Sequence, residues 1–97
     1  MPDHDEEPLE PAKARRRILR VLEHGTVTTS VHAHQEMEAD AITYSDCVVA
    51  LRGGIVRPGE LERGTWRYRV ETSRVVVVIA FRSESRLMIV TVWRVKA

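Results

Sequence analysis

Cysteine occurs once, at Cys47, in a chain of 97 residues. A single thiol excludes an internal disulfide framework and is what a reducing cytoplasm favours. Lysine is almost as scarce: thirteen of the fifteen basic side chains are arginine, the exceptions being Lys13 and Lys96. No internal repeat, glycine-rich phosphate loop, Walker pattern or G-x-S-x-G elbow occurs, so ATP-driven and cofactor-dependent chemistries have no support and no cofactor is expected. The longest unbroken apolar run, Val75 to Phe81, is seven residues. A membrane span needs ~20. The opening decapeptide MPDHDEEPLE does not read as a signal peptide, and the expectation is a soluble, cytoplasmic protein of one domain.

The formal net charge of +1 conceals a partition. Residues 1–10 hold five carboxylates and no Lys or Arg, leaving fifteen basic against nine acidic side chains for 11–97. The first ten residues are expected to be a disordered acidic tail, and 11–97 a single folded domain. Arginine presents a rigid fork of donors that matches phosphate oxygens, so the body suggests an anionic partner; an arginine-preferring genome explains the same bias.

Pro11 suits the first position of a helix, and Ala14, Ile18, Val21 and Leu22 continue the spacing until Gly25, predicting helix one over 11–24. Its outer face carries Lys13, Arg15, Arg16, Arg17 and Arg20, either solvated or in contact with phosphate. TVTTS reads as a polar connector ending in an N-cap at Ser30, and helix two follows over about 31–39. Thr43 and Asp46 form a capping-box pattern for helix three, whose apolar stripe is Tyr44, Cys47, Val48 and Leu51, before Gly53-Gly54. In that stripe Cys47 reads as a buried structural thiol.

After Gly54 the period becomes extended. IVRPGE reads as a short edge strand interrupted by Pro58, TWRYRVET alternates, RVVVVIAF is apolar on both faces, and LMIVTVWRV nearly so. The expectation is α+β: three N-terminal helices packed on a three- to four-stranded antiparallel sheet with Val75 to Phe81 central. Alternation puts Trp66, Tyr68 and Val70 on one face, as core, and Arg67, Arg69 and Glu71 on the other.

The stretch SVHAHQEMEAD holds two of the four histidines. On a helix, residues two apart diverge by about 200°, so His32 and His34 cannot chelate one ion, and no Cys pair or H-x-x-x-H accompanies them. No metal is expected. His32, Glu36 and Asp40 instead form one row, beside an apolar row of Ala33, Met37 and Ala41.

The basic first helix running into "GTVTTS", then "HAHQEM", "ITYSDCVVALRGG", "GTWRYRVETSRVVVVIAF" and "IVTVWR" together resemble the MqsR-like branch of the RelE-type toxins, and a group of small bacterial domains with a similar S-x-H-A start. The resemblance spans about residues 11–96. It implies a helices-then-antiparallel-sheet fold and the toxin half of a toxin–antitoxin pair, acting as a metal-independent endoribonuclease on messenger RNA and neutralised by a cognate antitoxin protein. Many S-x-H-A domains have arginines where this chain has Glu36 and Asp40.

Metal-free RNA cleavage needs a base for the 2′-hydroxyl, an acid for the leaving 5′-oxygen, and fixed positive charge around the phosphate. An imidazole titrates near pH ~6.5 and serves either proton-transfer role. His32 is accordingly the candidate, with Glu36 to orient it and Arg67, Arg69 and Arg94 to stabilise charge. Arg16, Arg20, Arg52, Arg82 and Trp93 are the candidate RNA contacts. His32 as a purely structural hydrogen-bonder is the alternative, and with it a basic sheet that binds nucleic acid or protein without cleaving anything.

Overall fold

A computed structural model describes residues 6–96 of the chain. The fold is α+β: α1 (Pro11–His24), β1 (Thr26–Thr29), α2 (Val31–Asp40), α3 (Tyr44–Gly53), β2 (Ile55–Val56), β3 (Glu60–Glu62), β4 (Thr65–Glu71), β5 (Val75–Ser83) and β6 (Arg86–Arg94). The sheet runs β1-β6-β5-β4-β2, with β3 paired to the other end of β4. It has six strands among the described residues and is mixed, not the three- to four-stranded antiparallel sheet expected. The extra strands are short. TVTT, read as a connector, is β1, lying parallel to Thr26–Thr29's partners Arg86 to Ile89 on β6.

The helix boundaries follow local chemistry. Pro11 begins α1, and Gly25 ends it with its N–H donated to Val21 O at 2.8 Å. A Cβ at Gly25 would lie 2.1 Å from Ser85 O, so only glycine lets the exit of α1 meet the β5–β6 turn. Ser30 Oγ accepts from Ala33 N–H at the start of α2, and Thr43 and Asp46 complete a reciprocal capping box on α3.

Residues 75–81 of β5 are buried throughout, but on two different faces. Val75, Val77, Ile79 and Phe81 join Tyr68, Val70, Leu87, Ile89 and Val92 in a core covered by Ala14, Ile18 and Val21 of α1, Ala33 and Met37 of α2, and Cys47, Ala50 and Leu51 of α3. Val76, Val78 and Ala80 are buried without belonging to that core. Their cross-strand partners on the helix-free face include longer side chains: Glu71 and Trp93 beside Val76, Arg69 beside Val78, and Met88 beside Ala80.

Four local expectations are corrected. Arg17, placed on the outer face of α1, is only 7% exposed and lies over the Phe81 ring at 5.3 Å, because a long aliphatic stem can cross the core margin and end on an aromatic face. Tyr44 is 49% exposed and stands outside the α3 stripe, which Cys47, Ala50 and Leu51 supply. Ala41 is exposed in the left-handed C-cap of α2 and does not continue its apolar row. Of the presumed acidic tail, residues 1–5 lie outside the described residues, whereas Leu9 is buried and the Tyr68 hydroxyl both accepts from Leu9 N–H at 2.8 Å and donates to Glu7 at 2.9 Å. Contacts with the domain therefore start before Pro11. Burial pushes the Tyr68 phenol up to about 12, against the opposing effect of the Leu9 N–H.

Candidate nucleic-acid interface

The helix-free face of the sheet presents Arg67 and Arg69 from β4 and Thr91 and Trp93 from β6, with Val78 of β5 between them as the partner of both Arg69 and Thr91. β3 closes one side: Glu60 pairs across from Arg67, and Glu62 from Thr65. Together these side chains line a recess of about 180 Å³. The Arg69 guanidinium stands 6.0 Å from the Trp93 ring, within cation–π range, and Trp93 is 38% exposed.

The charge of the face is balanced. Arg67 is 3.0 Å from Glu62, Arg69 is 3.4 Å from Glu60 and 3.7 Å from Glu71, and Arg57 is 2.9 Å from Glu71. All of these pairs are at least partly open to solvent, where such bonds contribute little stability and exchange readily.

Beside the recess, α2 replaces β1 along the edge of β6. Strand pairing ends at Thr29 with Ile89, and the next edge donor, Val92 N–H, is accepted by Glu36 at 3.2 Å. The same carboxylate oxygen accepts from the Thr91 hydroxyl and lies 3.3 Å from His32 Nε2. Glu36 thus closes an otherwise open sheet edge and links His32 to a residue lining the recess. His32 itself is 68% exposed, with room for a substrate to reach its ring. His34 turns away and pairs loosely with Glu38 at 3.8 Å. The row expected along α2 stops at Glu36, since Asp40 contributes only its backbone carbonyl, an acceptor for Arg94.

Arg94 does not join the recess. It lies on the helix-covered side and donates to Asp40 O and Ala41 O at 3.0 and 3.1 Å, satisfying the last carbonyls of α2. Arg16 and Arg20 are also away from it, on α1 beside Glu6 and Glu84, with Arg20 3.6 Å from Glu84. Arg52 is exposed at the end of α3, and its carbonyl accepts from Arg15. Arg82 does share the helix-free face, reaching Met88 Sδ at 3.5 Å next to Ala80. Trp66 and Tyr68 face the core as alternation predicts. Of the ten candidates, Arg67, Arg69, Arg82 and Trp93 share the open face, His32 and Glu36 adjoin it, and four lie elsewhere.

Glu60, Glu62 and Thr91 were absent from the sequence-based set. The string ELERGTWRYR contains the signal for the first two: a tight turn at Arg63-Gly64, both at positive φ, folds E-x-E back beside T-x-R, with Glu60 opposite Arg67 and Glu62 opposite Thr65. Cys47 is buried in the core, and burial pushes its thiol up to about 11, consistent with a structural role and not a nucleophilic one. Among the described residues no three His, Cys, Asp or Glu side chains converge as a metal site, and no helix is long and apolar enough to cross a membrane. Comparison with protein-family models, curated proteins and solved structures finds no match.

Proposed function

We propose that the open face binds single-stranded RNA and that His32 makes the protein a metal-independent endoribonuclease, the toxin of a toxin–antitoxin pair built on a RelE/MqsR-like fold. The observation that carries this reading is the convergence of Arg67, Arg69, Thr91 and Trp93 on one recess, joined through Glu36 to His32. Guanidinium forks suit phosphate, and an exposed aromatic beside them suits an unstacked base, the combination that single-stranded RNA asks for. In the proposed reaction His32 takes the 2′-hydroxyl proton, the 2′-oxygen attacks phosphorus, and the bond to the 5′-oxygen breaks. That oxygen takes a proton from water, leaving a 2′,3′-cyclic phosphate and a 5′-hydroxyl. Arg67 and Arg69 stabilise the pentacoordinate phosphate, and Glu36 orients His32. The antitoxin partner rests on the resemblance alone.

A second reading, RNA binding without cleavage, is favoured by the commitment of Glu36 to the sheet edge and of Arg94 to α2. Both would then be structural. Incubating the purified protein with single-stranded RNA in excess chelator separates the two. Cleavage requires cyclic-phosphate ends that disappear in His32→Ala and persist in His34→Ala. Retention of intact RNA supports binding alone, and no retention removes both readings.

A further inference from the structure

We infer that β3 is an acidic flap that holds the RNA-binding arginines in an occupied state, so that substrate must displace Glu60 and Glu62 to bind. This rests on the open face being the RNA site. Glu62 takes a terminal nitrogen of Arg67 at 3.0 Å, and Glu60 one of Arg69 at 3.4 Å. These carboxylates stand where phosphate oxygens would stand, each offering paired acceptor oxygens and a single negative charge like that of a phosphodiester. The occupation is incomplete: Arg67 Nε is buried without a hydrogen-bond partner.

The segment is built to leave. Every residue of β3 is exposed, including Leu61, so its departure uncovers no core. β3 pairs only with β4, through three residue pairs at Thr65 to Arg67, whereas β5 holds β4 separately at Tyr68 to Glu71, a pairing that does not depend on β3. Both ends have pivots. Arg63 and Gly64 form the distal turn at φ 52 and 81°, and Pro58 and Gly59 interrupt the edge at the proximal end. Gly59 is held there: a Cβ on it would come 3.0 Å from the Tyr68 ring and 3.3 Å from Pro8. The N-terminal residues that bond the Tyr68 hydroxyl therefore clamp the flap's root while its acidic tip stays free.

The flap differs from a general acidic surface in what its removal should do. Exposed ion pairs exchange partners at small free-energy difference, so a polyanion competes effectively for both guanidinium groups. Each one in contact with phosphate contributes about 0.7 to the slope of log affinity against log salt for a single strand, with or without the flap, so the flap acts on affinity and not on the slope.

The test is the binding of a fluorescent single-stranded oligoribonucleotide across a salt series to wild type, Glu60→Gln/Glu62→Gln, and a control, Glu10→Gln/Glu23→Gln, which makes the same charge change at the two ends of α1. The flap variant is expected to bind several-fold tighter than both others, with the salt slope little changed because both arginines contact phosphate in either complex, whichever base the oligonucleotide carries. Equal gains in the flap variant and the control reduce the effect to net charge and overturn the flap, leaving the RNA site standing. Weaker binding by the flap variant, or altered base preference without tightening, makes Glu60 and Glu62 base-reading groups and also overturns it. If wild type and both variants all fail to bind, the RNA reading falls and the flap with it.

Discussion

The two faces of the sheet use the same residue type in opposite ways. On the helix-covered side, Arg15 donates to Gly54 O and Arg52 O at the end of α3, Arg94 donates to Asp40 O and Ala41 O at the end of α2, and Arg17 lies on Phe81. Their partners are backbone carbonyls and a core ring, fixed by the fold. On the open side, Arg57, Arg67 and Arg69 are held by Glu60, Glu62 and Glu71, whose side chains can move off without disturbing a helix or the core. An arginine bonded to main chain supports structure, and one bonded to an exposed carboxylate remains available to a better anion.

The comparison is broken most severely at Tyr68, which belongs to the covered face although its neighbours Arg67 and Arg69 belong to the open one. Tyr68→Ala should cost about 3–5 kcal/mol by removing a fully buried ring. Tyr68→Phe should cost about 1–3 kcal/mol, because Leu9 N–H loses its acceptor. Denaturant titration measures both. If Tyr68→Phe has wild-type stability, the hydroxyl's bonds to Glu7 and Leu9 contribute nothing to it.

Glu36 lies where the faces meet, and its substitution sharpens the distinction. Glu36→Ala should lose about 1–3 kcal/mol, since Val92 N–H is left without a partner at an edge no strand covers. His32→Ala should stay within about 0.5 kcal/mol of wild type, as an exposed ring tied only to Glu36 supports little. Equal and large losses would make the pair one structural unit and remove His32 from the reaction.

What the sequence made legible follows from the range of the interactions. α1 was readable from Pro11 to Gly25, and α3 from Thr43 with Asp46, because caps and periodicity lie within a few residues of each other. β1 was not, since TVTT is one exposed and three half-buried residues whose partner is about sixty positions away, and nothing local distinguishes such a strand from a connector. The same limit misplaced arginines: Arg17 and Arg94 look like Arg16 and Arg69 in sequence, and only Phe81 and the end of α2 decide their roles. In the candidate site, strand alternation correctly separated Arg67 and Arg69 from Trp66 and Tyr68. It could not show Glu36 reaching Thr91 across the sheet edge.

On the open face, Arg67→Gln/Arg69→Gln should leave stability within about 1 kcal/mol of wild type, because exposed pairs contribute that little. The salt slope of RNA affinity should flatten by about 1.4 if both contact phosphate. Arg94→Gln is the counterpart from the covered face. It should lower stability through the lost carbonyl contacts and leave the slope unchanged. A slope that responds to Arg94 but not to Arg67 and Arg69 would put the anion site on the other side of the sheet.

The smallest expected effect concerns Asp46, on the covered side but fully at the surface. Hydrogen bonds from the Thr43 backbone N–H, and then its side chain, lower the Asp46 pKa, helped by the charges of Arg94 and Arg74. A carboxylate whose pKa is depressed by folding contributes stability that is fully present above the unfolded-state value of about 3.9 and is lost as pH falls through the folded one. Wild type should therefore lose helix-capping stability only below that value, while Asp46→Asn loses the ionised acceptor at every pH. Melting temperatures of the two proteins should differ at neutral pH and converge as the solution is acidified. A difference that stays constant from neutral pH into acid would show that the cap depends on the shape of the side chain and not on its charge.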